Sequence, residues 1–157
     1  MTISPADVRV RRPQDHSALL NELRDEGVFP TFRDGLLFAA AVGSRFDRRV
    51  PFTAAARDPI RYEVVTAPTF GEALINMIAA ASVDNDPEIM DTSRLEERIA
   101  LFEAYANGGL EYIQEQVNVR HQPADLVVQA LVIEALAGGG GAEALSVDEL
   151  LSGVNWS

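Results

Sequence analysis

The sequence predicts a mainly α-helical fold, a compact bundle of about five helices with room for a small two-stranded β-ribbon. Its 157 residues, 47% of them hydrophobic, are enough for one domain with its own core. Apolar residues recur at helical spacing in several segments, and helix-start signals precede several of those segments. We expect a helical domain over residues 1–137, followed by a glycine-rich linker and a short C-terminal helix or tail over residues 138–157.

Two helices are predicted in the first third of the chain. The first begins near Pro13 and ends at Gly27, and its apolar face is formed by His16, Leu19, Leu20 and Leu23. The second begins at Thr31, where Thr31 and Asp34 have the spacing of a capping box. Residues 36–42 of this helix are apolar on all sides, which predicts that neighbouring elements bury most of it.

The β-ribbon is predicted from two short alternating segments. Val8 and Val10 alternate with arginines, and residues 60–64 alternate apolar with charged side chains. Residues 44–60, which contain Pro51 and Pro59, separate the second helix from this second segment and are expected to form a loop.

Three more helices are predicted in the second half. One begins at a Thr69–Glu72 cap, with Phe70, Ala73, Leu74, Met77, Ile78 and Ala81 as its apolar positions. The next begins at a Ser93–Glu96 cap and, if unbroken, continues to residue 118. At Asn107-Gly108-Gly109 we expect a kink, a helix end or a close approach of a neighbouring backbone. A further helix begins near Pro123 and ends at Gly138. The apolar faces of residues 36–42, 70–81 and 95–117 are expected to pack together.

Composition excludes several classes of catalytic site. The chain has no cysteine, which excludes disulfides, thiolate metal sites and cysteine nucleophiles. It also has no lysine, which excludes a Walker A loop and a Schiff-base lysine. Its two histidines lie in no metal-binding motif, and the acidic residues from Asp84 to Asp91 do not fit the calcium-loop pattern. We therefore expect no cofactor and no metal.

Charge is distributed unevenly, although the net charge is −11. Residues 1–61 carry 10 arginines and 8 acidic residues, whereas residues 62–157 carry 3 arginines and 16 acidic residues. The arginines that follow the second helix form the best candidate binding site for a phosphate or an acidic partner: Arg45, Arg48, Arg49, Arg57 and Arg61. A structural explanation is also available, because cations are favoured at the C-terminal end of a helix.

No apolar run approaches the roughly 18 residues that a membrane span requires. The N-terminal segment also lacks the apolar stretch of a signal peptide. A cytoplasmic protein without membrane contact is therefore expected.

Several segments together resemble a known family of small bacterial proteins. These segments are residues 10–13, 32–34 with 38–43, 48–52, 59–63 and 101–110, and the last, which contains Glu-Ala-Tyr-Ala-Asn-Gly-Gly-Leu, is the most specific. The set is similar to the accessory proteins of DNA-phosphorothioation (Dnd-type) defence systems, in particular Dnd system-associated protein 4, over about residues 9–118. The resemblance implies a role in defence against foreign DNA alongside other defence proteins, and it supplies no catalytic residue.

Three functions follow from these observations. The leading one is a non-enzymatic accessory or binding protein of such a defence system, whose partners are other proteins of the system. The first alternative is a DNA-binding regulator or modification-sensing subunit that contacts DNA through the arginine-rich first half. The second is an enzyme of unrecognised type that uses carboxylates such as Asp84, Asp86 and Glu88.

Overall fold

Six α-helices and one β-ribbon form the part of the chain that the structure, a computed structural model, describes, namely residues 7–138. The ribbon pairs β1 (Arg9–Val10) antiparallel with β2 (Ile60–Arg61). The helices are α1 (Ser17–Asp25), α2 (Phe32–Arg45), α3 (Tyr62–Val65), α4 (Thr69–Ser82), α5 (Leu95–Arg120) and α6 (Ala124–Ala137). The predicted mainly α-helical bundle with a small two-stranded ribbon is therefore confirmed. The predicted linker beyond Gly138 and the short C-terminal helix lie outside the described residues.

The long helix α5 is the centre of the bundle. Residues 101–110 of α5 are all buried, and Phe102, Leu110 and Ile113 are fully enclosed. Helix α2 packs along α5 over most of its own length, while α4 and α6 contact other parts of α5. Helices α2, α4 and α5 contribute to one core, as expected, although α4 enters it by a different face from the one predicted. None of the helices within residues 7–138 is long and apolar enough to cross a bilayer.

The contact between α2 and α5 is a close approach of two backbones. Gly43 on α2 and Gly109 on α5 lie at this contact and are buried, and the neighbouring Gly108 is buried against the backbone of Arg48 in the loop that follows α2. A methyl group at Gly43 would overlap the Tyr105 carbonyl oxygen, and one at Gly109 would overlap the Ala39 carbonyl oxygen. Of the three outcomes expected at the two adjacent glycines, the structure shows close approach, and α5 continues without interruption from Leu95 to Arg120.

Two predicted helix caps are wrong, and one is confirmed. The Thr31 hydroxyl accepts a hydrogen bond from the Asp34 amide, as the capping box requires. Helix α4 instead takes Pro68 as its N-cap residue, so Thr69 is already helical. Ser93 lies within a 3₁₀ turn, Thr92–Arg94, which leads directly into α5 and leaves no free end for a serine cap.

Helical segments also differ from prediction in two smaller ways. Residues 14–16 form a 3₁₀ turn, so α1 begins at Ser17 rather than near Pro13. The strand predicted at residues 60–64 stops at Arg61, because residues 62–65 form the single helical turn α3, in which the Thr66 amide bonds the Tyr62 carbonyl.

The prediction of which face of α4 enters the core is also wrong. The buried residues of α4 are Gly71, Ile75, Ile78 and Ala79. Phe70 and Met77 of the predicted stripe are 58% and 67% exposed, and Leu74 is half-buried. Helix α4 is apolar on more than one side, so spacing alone could not identify which side faces α5.

Replacing Gly109 by alanine tests the close approach of α2 and α5. Alanine favours a helix over glycine by about 1 kcal/mol, so an open site would be stabilised. Because the new methyl group would overlap a carbonyl oxygen of α2, we expect Gly109→Ala to lower the free energy of unfolding by about 1–3 kcal/mol. Urea unfolding would measure this, with Val119→Ala, an exposed change on the same helix, as the control. A Gly109→Ala protein as stable as wild type would contradict the packing described above.

Candidate functional site

The five arginines of the predicted binding site contact different parts of the fold. Arg48 lies against α5, where its Nη1 and Nη2 donate to the two carboxylate oxygens of Glu115 over 3.0 and 2.8 Å. Its Nη1 is also 3.4 Å from Glu111. The hydrogen bond from Arg48 lowers the pKa of the Glu115 carboxyl. These contacts are intramolecular, and they hold the loop that follows α2 against α5.

The other four arginines are exposed. Arg61 lies 3.2 Å from the Glu63 carboxylate, and the guanidinium of Arg45 lies 5.6 Å from the centre of the Phe46 ring. Arg45, Arg49 and Arg57 form no ion pair with any carboxylate within residues 7–138. The proposed contact of these arginines with phosphate or with an acidic partner stays a prediction.

A buried ion pair that the sequence did not reveal joins the N-terminal segment to α5. The Glu103 side chain is only 5% exposed. It accepts hydrogen bonds from the Arg11 amide at 2.7 Å and from Arg11 Nε and Nη2 at 3.2 and 2.9 Å. The signal in the sequence was a single glutamate within the otherwise apolar segment 101–106. Because both carboxylate oxygens are occupied, the pair is a structural contact rather than an open binding site.

A polar cleft of about 410 Å³ lies beside this ion pair. Residues 50–54 form one wall, and Asp15, His16, Asn107 and Glu111 line the rest. Asn107 donates from Nδ2 to the Val50 carbonyl at 2.8 Å, which holds the loop on α5. Burial lowers the pKa of His16, although the nearby carboxylates of Asp15 and Glu111 act in the opposite direction. No described side chain hydrogen-bonds to the His16 imidazole, so the cleft lacks an oriented nucleophile–base pair.

The acidic turn proposed as an alternative catalytic site is an exposed surface feature. Asp84 and Glu88 are exposed, and Asp86 accepts a hydrogen bond from Arg94 at 2.8 Å. Within residues 7–138, no group of three or more histidine, aspartate or glutamate side chains is arranged to hold a metal ion.

A candidate site larger than the polar cleft is an apolar groove on the face of α2 that points away from α5. We define the α2 groove as the depression between α4 and α6 lined by Phe38, Ala41, Phe46, Leu74, Met77 and Leu136. The part between α2 and α4 encloses about 690 Å³ and includes Phe29 and Phe70. The part between α2 and α6 adds about 190 Å³, and the two parts share Phe38 and Ala41.

The α2 groove leaves large apolar side chains in contact with solvent. Leu136 is 72% exposed, and the exposed side chains of Phe70 and Met77 extend the same surface along α4. Arg45 is the only cation among the described residues that line the groove, and Asp34 is the only acid. Continuous exposed apolar surfaces of this kind are typical of sites that bind a protein or another ligand. The apolar spacing of the sequence placed Phe70, Leu74 and Met77 in the core, so this surface was not predicted.

Together, the fold and the groove define a small α-helical protein whose described residues form a long apolar surface open to solvent. The comparisons with known proteins identify its family. The chain belongs to the family described as DNA sulphur modification system-associated protein 4, whose model matches residues 9–147. The match confirms the resemblance and extends it past residue 118 into the glycine-rich linker. No curated protein and no solved structure matches the chain.

The partial burial of His16 predicts a pH dependence of stability. Because the pKa of His16 in the folded protein lies below its ordinary value of 6.5, the unfolded chain binds the proton more readily. The stabilising contribution of the neutral imidazole is therefore complete above pH 6.5 and is lost as the pH falls from there toward the folded pKa. Urea unfolding on both sides of pH 6.5 should show a larger loss for wild type than for His16→Asn. Parallel losses in the two proteins would contradict this account of the cleft.

Proposed function

We propose that the protein is a non-enzymatic accessory subunit that binds another protein of a DNA sulphur modification system through the α2 groove. In this proposal the subunit acts in the bacterial cytoplasm, in defence against foreign DNA. The observation that carries the proposal is the groove itself. Its side chains come mainly from three helices, and Ala41, Phe46, Met77 and Leu136 remain exposed although the same helices contribute to the core.

The shape of the α2 groove favours an amphipathic helix as the partner's binding element. Its walls are α4 and α6 and its base is α2, so the exposed side chains form a channel between helices. Helices that bind in such channels insert one apolar face and leave their polar face in water. Because Arg45 lines the channel and has no carboxylate partner within residues 7–138, the bound helix is expected to place an acidic residue beside its apolar face.

A second candidate function, direct contact with DNA, is favoured by a separate observation. Arg49 and Arg57 are exposed and have no carboxylate partner within residues 7–138, so both are available to phosphate. The overall charge of −11 opposes non-specific binding to DNA. Arg48 and Arg61 are already paired with glutamates, which reduces the positive charge that the loop presents. These contacts support a protein partner over DNA as the principal ligand.

One pair of matched variants tests the groove. Met77→Glu places a charge inside the α2 groove at a largely exposed position, so the fold should be retained while partner binding is lost. Val119→Glu introduces the same charge at a position on α5 that is 71% exposed and outside the groove, and it should bind like wild type. Binding would be measured by titration against the purified proteins of the same modification system. If no member of the system distinguishes the two variants, the groove is not the binding surface.

A parallel titration tests the arginines. Arg49→Gln with Arg57→Gln would be compared with wild type against duplex DNA, with and without phosphorothioate, at two salt concentrations. If DNA is a ligand, the double variant should bind more weakly and with a shallower dependence on salt. If wild type and variant behave alike, the two arginines do not contact DNA.

A further inference from the structure

We propose that Arg12, Arg24 and Arg57 form a binding site for a single phosphate group beside the ring of Phe32. These four residues are called the Phe32 site. The guanidinium carbons of Arg12 and Arg24 lie 4.4 and 4.3 Å from the centre of the Phe32 ring. Because both lie over one ring, the two cations are close neighbours. Their mutual repulsion is relieved when an anion binds next to both.

Separate parts of the fold hold the Phe32 site in place. Arg12 lies in the extended segment after β1, where the Ala56 amide donates to its carbonyl at 2.8 Å. Its Nη2 donates to the carbonyl of Arg57, which brings the loop before β2 to the site. Arg24 lies in the last turn of α1, and Phe32 is the first residue of α2. The cations are thus positioned in advance, which lowers the ordering cost of binding.

The positive charge of the Phe32 site is poorly compensated within residues 7–138. Neither Arg12 nor Arg57 forms an ion pair with a carboxylate in that part of the chain. Arg24 lies 3.4 Å from Asp25, but the two side chains are 43% and 68% exposed. Such exposed pairs contribute little and are readily exchanged for another anion. Three cations therefore stand against one weakly held carboxylate.

The arrangement suits a phosphate group better than a carboxylate. One arginine is enough to bind a carboxylate, because its planar fork matches the two oxygens. In the Phe32 site, guanidinium groups approach from different elements, as a tetrahedral anion with three or more acceptor oxygens requires. The Phe32 ring also contributes, because the edge of an aromatic ring carries partial positive charge.

Nearby carboxylates favour a compact ligand over an extended nucleic acid. Asp25 and Asp58 directly follow Arg24 and Arg57 in the chain, and both are exposed. The continuous backbone of DNA would have to pass these acids on a chain of net charge −11, whereas a single phosphate group would not. The ligand that we infer is therefore inorganic phosphate or a phosphomonoester. This inference is independent of the α2 groove.

Titration of the full-length protein with inorganic phosphate and with a nucleoside monophosphate tests the Phe32 site. Binding would be followed at constant ionic strength by calorimetry and by the NMR shifts of the arginine Nε–H groups. We expect saturable binding that Arg24→Gln weakens about tenfold, because charge-assisted hydrogen bonds are lost. Arg45→Gln removes an exposed arginine at the other end of α2 and should bind like wild type. Equal affinity for the two ligands, or tighter binding of the monophosphate, would support the site.

A variant that keeps every charge tests the role of the ring. Phe32→Leu should also weaken phosphate binding, because the two guanidinium groups lose the surface that holds them together. Urea unfolding would establish that this variant folds, and if it does not, Arg57→Gln, at an exposed position, takes its place. Wild-type affinity in a folded Phe32→Leu protein would contradict the proposed site.

Three further outcomes would overturn the proposal. The first is no saturable binding of either ligand. The second is equal weakening by Arg24→Gln and Arg45→Gln, which would show general attraction between charges. The third is tighter binding of duplex DNA than of the monophosphate, which would indicate an extended nucleic-acid surface instead. Met77→Glu should leave phosphate binding unchanged, so failure of the α2 groove proposal and failure of this one are distinguishable.

Discussion

The close approach of α2 and α5 determines how the rest of the molecule is arranged. With no side chain at Gly43 or Gly109, the two backbones come near enough that the Tyr105 and Ala39 carbonyls occupy the space that side chains would need. One face of α2 is consequently covered by backbone and small side chains of α5. Its larger apolar residues, such as Phe38, lie toward the other side, where α4 and α6 flank them without closing over them.

This arrangement explains why residues 36–42 of α2 are apolar on all sides. From the sequence, an all-apolar helix is expected to be enclosed by its own domain. Leu36, Leu37 and Ala40 are indeed buried, whereas Ala41 is exposed and Phe38 is only partly covered. The second apolar face of α2 forms the base of the α2 groove. The pattern thus records two surfaces, one for the core and one open to a ligand, and the sequence alone could not separate them.

Polar side chains of α5 hold the irregular segments in place around this helix pair. Glu103 binds Arg11, Asn107 binds the Val50 carbonyl, and Arg98 donates to the Ile89 and Asp91 carbonyls over 2.6 and 2.9 Å. Each is buried, and each satisfies groups that would otherwise be costly to bury. The number and approximate limits of the helices could be predicted from apolar spacing. These contacts could not, because they join positions up to 92 residues apart and depend on how the helices pack.

The uneven charge of the sequence has a structural explanation that also limits the candidate site. Arg11 and Arg48, from the arginine-rich first half, pair with Glu103, Glu111 and Glu115 from the acidic second half. Two of the ten arginines in the first half therefore join the two halves of the bundle. The arginine cluster seen in the sequence is accordingly divided in the fold, with Arg48 committed to α5 and Arg45 placed on the α2 groove. Because Arg45 lies within an apolar channel, the partner that we propose is an acidic amphipathic helix rather than the evenly charged backbone of DNA.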